Sequence, residues 1–184
     1  MPDRSVIVEH PAPEAAANIA AVSPALQLRQ ALGAFSTGVT VISTVTPAGD
    51  PIGLTVNSFN ALSLDPPLVL WSLRSNSACA AAFVAAKQFT VNVLAEEQLG
   101  ISRQFAQSAE DRFKDITWLP WRYDQSAAPL LKGCVALFEC HTVSHQVAGD
   151  HLLFIGQVKE YRHHRERRPL IFHGGRYHLL GTAL

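Results

Sequence analysis

Three short stretches carry side chains whose type and spacing could do chemistry. The first is Thr55-Val56-Asn57-Ser58, inside Gly53–Asn60, with Ser63 following ahead of Leu64-Asp65-Pro66-Pro67. Read as a strand, it sends Thr55 and Asn57 to one face and Val56 and Ser58 to the other. Small neutral donors and acceptors of this kind suit the edge of a planar heteroaromatic ring. The second is Arg74-Ser75-Asn76-Ser77, just before an alanine-rich segment. Free N–H groups at a helix start, joined by hydroxyls, an amide and a guanidinium, make an anion site. Ordinary capping by Ser75 beside an exposed arginine is the competing reading. The third is Gly149-Asp150-His151, a turn between two β-rich runs. It puts His151 at a hairpin tip, where a neutral imidazole can donate one hydrogen bond and stack. The same residues also read as a plain turn with an incidental surface histidine.

Other chemistries fit poorly. Cys140, His141 and His145 lie in one strand-like run, where Cys140 and His141 face opposite sides and His141 and His145 stand about 12 Å apart, so no metal is expected. No Gly-x-Ser-x-Gly elbow is present, which disfavours a nucleophilic hydrolase. There is no Walker loop or GxGxxG, so a bound nucleotide is not held in a P-loop or Rossmann manner.

The elements that must position these residues follow from local pattern. Ser23-Pro24 starts a helix that runs through Leu28 and Leu32 toward Phe35. Val39–Val45 is β-branched and reads as a strand, and Pro47–Asp50 turns it back into Ile52–Asn60. Leu68–Leu73 is nearly all apolar and reads as a strand buried on both faces. A helix over Ala78–Ala86, a strand over Phe89–Leu94 and a helix over Gln98–Ala106 come next, the last opened by Glu96 and Glu97. Cys134–Gln146 and His151–Tyr161 form a long hairpin, and Leu170–Phe172 and Arg176–Leu180 a short one. Hairpins dominate and regular βαβ alternation is missing. The expected fold class is therefore mainly β (α+β), an antiparallel barrel with a few packed helices. Residues 1–22 read as a flexible tail, and residues 23–184 as one domain.

Composition narrows the function classes. Of 184 residues, 48% are hydrophobic and 16% charged, enough for a sizeable core. The formal net charge is zero, which argues against a protein held to nucleic acid by its phosphates. No run is long enough to span a bilayer, and the N-terminus has no signal-type apolar core. The three cysteines are odd in number and widely spaced, which fits a reducing cytoplasm rather than a disulfide framework.

Taken together, Phe35-Ser36-Thr37-Gly38-Val39-Thr40-Val41-Ile42, Gly53-Leu54-Thr55-Val56-Asn57-Ser58-Phe59, Ser63-Leu64-Asp65-Pro66-Pro67, Phe89-Thr90-Val91-Asn92-Val93-Leu94 and Gly149-Asp150-His151 carry a resemblance. The chain resembles the short-chain flavin reductases, the reductase components of two-component flavin monooxygenases. The match runs from about Leu28 to Leu180. Leu54 stands where many relatives have methionine.

The resemblance implies an FMN-binding split barrel, a homodimer and an NAD(P)H-dependent flavin reductase. FMN or FAD would be the flavin, NADH or NADPH the reductant, and a monooxygenase component the recipient of reduced flavin. It implies that Thr55, Val56, Asn57, Ser58 and Ser63 line the isoalloxazine. Arg74, Ser75, Asn76 and Ser77 would take the flavin phosphate. Asn92, Arg103 and Phe105 would lie near the same cleft, His151 would meet the nicotinamide, and Phe172 and Tyr177 would belong to a closing tail. Hydride transfer between stacked rings asks for geometry and polar contacts more than for an acid–base pair. A flavin-binding electron carrier or flavin store without nicotinamide turnover is the alternative. Arg162, Arg165, Arg167 and Arg168 could serve a 2′-phosphate but read more simply as a solvated charge run.

Overall fold

β-Branched residues crowd the segment from Val39 to Val45, and Thr40–Val45 becomes a nearly fully buried strand. The computed structural model describes residues 23–107, 112–119 and 128–183, so the tail expected over residues 1–22 lies outside the described residues. Helix α1 (Pro24–Gly33) leads into β1 (Thr37–Gly38), β2 (Thr40–Val45), β3 (Pro51–Val56), β4 (Asn60–Leu64) and β5 (Pro67–Arg74). Helix α2 (Ala80–Ala85), β6 (Gln88–Val93), a 3-10 turn (Glu96–Gln98) and helix α3 (Leu99–Ala106) follow. Then come β7 (Trp118–Leu119), β8 (Leu130–Leu131), the long pair β9 (Ala136–Ala148) and β10 (His151–His163), and finally β11 (Leu170–His173) and β12 (Arg176–Leu179).

Seven strands form one antiparallel sheet in the order β3-β2-β6-β9-β10-β5-β4, and β1, β11 and β12 form a second. Strands β3 and β4 are neighbours in sequence yet stand at opposite edges of the large sheet. Their connection, Asn57-Ser58-Phe59, must therefore cross the seam where the curled sheet fails to close. Ser58 clips that crossing to β5: its hydroxyl donates to the Ser72 carbonyl at 2.9 Å and accepts the Ser72 N–H at 3.0 Å.

Two clusters make the core. In one, Trp71 stacks on Phe154, its register partner on the adjacent strand, at 4.5 Å, and meets Phe83 edge-on at 4.9 Å. A fully buried Phe of this kind contributes roughly 1.5–3 kcal/mol. Gly156 sits at a register shift in β10, where the ring of Phe89 occupies the space a Cβ would need. The second cluster joins Val41, Leu94, Leu130 and Leu137 to Phe105 of α3.

Several elements differ from the sequence expectation. Strand β5 alternates: Val69, Trp71 and Leu73 are buried, while Leu68, Leu70 and Ser72 are only half-buried because their face opens at the seam. Strand β3 ends at Val56, so the two-face alternation expected through Ser58 stops there. Helix α2 begins at Ala80 rather than Ala78, because Ser77 turns the chain and its hydroxyl accepts the Cys79 N–H at 3.3 Å. Helix α1 starts as expected, with Ser23 accepting the Leu26 N–H at 3.3 Å, but buries none of its residues.

Candidate active site

The seam holds a cleft of about 490 Å³, within the usual range for small-molecule sites. Its walls come from the end of β3 and the crossing after it, the end of β5 and the turn that follows, α3, and the first residue of β10. Nine of the residues singled out in the sequence converge there. Thr55, Val56, Asn57 and Ser58 form one wall, Arg74, Asn76 and Ser77 another, and Phe105 and His151 complete it. Asn57 and Ser58 line the cleft from the crossing that follows the end of β3.

Backbone pairing explains why distant segments meet. Antiparallel register places His151 opposite Arg74 at the open end of the β5–β10 ladder. The Ser75 N–H then donates to the Asp150 carbonyl at 2.9 Å, tying the turn after β5 to the hairpin tip. His151 Nδ1 lies 2.7 Å from Asp150 Oδ1. The Asp150 carboxyl is held below its ordinary range, chiefly by that hydrogen bond and then by the charges of His151 and Arg74. On the opposite wall, the Thr55 hydroxyl donates to the Ser102 carbonyl at 2.7 Å and fixes α3 against β3.

Sequence reasoning missed one wall residue, Arg112. Its Nη1 donates to the Gly53 carbonyl at 2.6 Å and touches Cys79 Sγ at 3.3 Å, while its Nε is buried without a hydrogen-bond partner. Nothing in the local pattern marks it, since it stands in a polar segment far along the chain from Arg74. Two guanidiniums thus border one cleft among neutral hydroxyls and amides. The arrangement fits a flavin: short donors and acceptors for a ring edge, cationic forks for a phosphate, and an orphaned donor awaiting a partner.

Five expected residues are placed elsewhere. Asn92 is fully buried, and its amide is used up in the core: it donates to the Val41 carbonyl at 2.9 Å and to Ser43 Oγ at 3.0 Å, and accepts the Leu131 N–H at 2.7 Å. It holds β2, β6 and β8 together and does not reach the cleft. Arg103 points to solvent, because helical periodicity turns its neighbours Ser102 and Phe105 inward instead. The Tyr177 hydroxyl shares a hydrogen bond with Ser102 Oγ at 2.9 Å, and its ring packs on Phe172, outside the cleft lining. Ser63 lies on the edge strand β4, beside a register shift, and Ser75 is outside the cleft lining, its backbone N–H given to Asp150. All three cysteines are buried and free, and burial pushes the Cys134 thiol up to about 12 and Cys140 higher still. Neither of those two thiols can act as a nucleophile near neutral pH.

A sequence model of the flavin reductase like domain family matches residues 32–181. An NADH-dependent FMN reductase of Agrobacterium fabrum is 44% identical over 149 residues, covering 81% of this chain and 82% of the relative. The reductase component of a flavin-dependent trigonelline monooxygenase of Acinetobacter baylyi is 42% identical over 141 residues, 77% of this chain, which spans 44% of that relative's length. Among solved structures, the NADH:FAD oxidoreductase SgcE6 of Streptomyces globisporus, in complex with NAD and FAD fragments, superposes with a TM-score of 0.80 at 35% identity, covering 86% of this chain and 93% of the other. The chain belongs to the flavin reductase family and is an oxidoreductase with the antiparallel split-barrel fold of its relatives.

Proposed function

We propose that the protein uses NADH to reduce a flavin and passes the reduced flavin to a monooxygenase component. The single observation that carries this reading is the cleft at the seam, where Arg74, Arg112 and Ser77 line one space with Thr55, Asn57 and His151. Bound flavin would supply the hydride acceptor there, and the chain supplies binding and orientation. Arg74, Arg112, Asn76 and Ser77 bind the flavin phosphate. Val56 and Phe105 give apolar contact, Thr55 and Asn57 meet the ring edge, and His151 contacts the nicotinamide. The relatives' names support NADH as reductant. So does the pairing of three of the four arginines in the basic stretch: Arg162 lies 3.6 Å from Glu139, Arg167 3.9 Å from Glu166 and Arg168 3.6 Å from Glu96, which gives those three a carboxylate partner within the chain.

A homodimer is part of the proposal. Helix α1 exposes Leu28, Leu32 and the following Phe35, the last 74% exposed. A groove lined by Leu32, Phe35, Phe59 and Phe172 runs on from the cleft, sharing Asn57, Ser58 and Ser72 with it. A second copy covering that face would extend the cofactor's enclosure. A reducing cytoplasm is the proposed compartment, consistent with three free thiols, and no described helix is long and apolar enough to cross a membrane.

His151→Ala tests the assignment of the nicotinamide contact. The KM for NADH should rise about tenfold while the dissociation constant for FMN stays within about twofold, the signature of one lost hydrogen bond to one ligand. Equal losses for both ligands would contradict it.

A further inference from the structure

One residue at the hairpin tip touches both halves of the cleft. The backbone carbonyl of Asp150 takes the Ser75 N–H, and its carboxylate meets Nδ1 of His151 at 2.7 Å. The turn that presents it is tight: Gly149 has φ +62°, which suits the first central position of a two-residue hairpin loop. The carboxylate is ionised, held so first by the hydrogen bond from His151 and further by the nearby charge of Arg74. An ionised carboxylate accepts hydrogen bonds and cannot donate one, so the hydrogen between the two groups belongs to Nδ1. In a neutral imidazole the other nitrogen is then bare. His151 lines the cleft with its side chain 36% exposed, leaving Nε2 as the group free to meet a ligand.

We infer that Asp150 is a positioning residue that locks His151 in its Nδ1–H tautomer. The cleft thereby presents an acceptor at Nε2 and selects the carboxamide N–H of a nicotinamide over ring substituents that can only accept. The inference rests on the reading of His151 as the nicotinamide neighbour, and its test separates the two. It also distinguishes this histidine from one that merely stacks, because stacking has no preference between donors and acceptors.

The test titrates FMN-loaded protein with NAD+ and with 3-acetylpyridine adenine dinucleotide, in which a methyl group replaces the amide nitrogen. A pH of about 8.5 keeps ordinary imidazoles neutral. The wild type should bind NAD+ about three- to tenfold more tightly than the analogue, the worth of one hydrogen bond. Asp150→Ala frees the ring to rotate and exchange tautomers, and the preference should fall to within about twofold. Asp150→Asn, whose carbonyl still accepts, should restore part of it. The Asp150 side chain is 84% exposed, so the melting temperature and FMN affinity of Asp150→Ala should not decline. Retention of the full preference in Asp150→Ala, with its loss in His151→Ala, would overturn the tautomer lock and leave the nicotinamide reading standing. Retention in His151→Ala, or no preference in the wild type, would overturn both the lock and the selection it explains.

Discussion

Arg112 carries a charge to a cleft that already holds Arg74, and its buried Nε has no partner within the described residues. If both guanidiniums serve the flavin phosphate, Arg112→Gln should weaken FMN about tenfold or more, the loss expected for a hydrogen bond to a charged group. Riboflavin, which has no phosphate, should bind within about twofold of the wild-type value. Fluorescence titration with the two flavins checks this, and equal losses would mean that Arg112 acts only by holding Gly53. Arg74, Ser77, His151 and the run from Thr55 to Ser58 were legible in the sequence because each sits in a short stretch of unusual local chemistry. Arg112 was not, because its role depends on a fold that returns it to Gly53. Asn92 misled for a related reason. The resemblance put it near the cleft, yet here its amide satisfies backbone groups and hydroxyls deep in the core.

The contact of α3 with β3 sets one wall of the cleft. A Cβ at Gly53 would lie 3.0 Å from the ring of Phe105, 3.1 Å from the Ile42 carbonyl and 3.2 Å from the ring of Phe113. Backbone on one side and two packed rings on the other leave little room to yield. Gly53→Ala should therefore destabilise by about 1–3 kcal/mol, as overpacking does. The melting temperature should fall by about 2–4 °C for each kcal/mol in a chain of this size. FMN affinity should fall with it, because Phe105 and Arg112 both rest on this contact; an unchanged melting temperature would contradict the packing argument. The strand β2 and the β9–β10 hairpin were legible from β-branched runs and a Gly-Asp turn. The end of β3 at Val56 and the start of α2 at Ala80 were not: Ser58 bonds to Ser72, whose position only the folded chain defines, and Ser77 holds the Cys79 N–H in a local turn that delays the helix.

The order β3-β2-β6-β9-β10-β5-β4 sends the successive strands β3 and β4 to opposite edges, and the cleft lies at the seam between them. Local pattern established that hairpins dominate and that the sheet is antiparallel, but it could not order the strands, because long-range pairing leaves no local mark. The family resemblance implied a split barrel without giving that order. The apolar face of α1 and the groove beside it belong to the same large-scale account. Static light scattering should report a mass about twice the 20.0 kDa of one chain, and Leu32→Asp on the exposed face of α1 should shift it toward the monomer. A monomer mass for the wild type at micromolar concentration would contradict the dimer.

The most direct measurement is anaerobic mixing of the protein with NADH and FMN, following the loss of the oxidised-flavin absorbance. The account predicts bleaching equimolar with the NADH consumed, at a turnover within the ordinary enzymatic range of about 1–10³ per second. Tight flavin binding without bleaching, with NADH and then with NADPH, would contradict it and identify the chain as a flavin carrier instead.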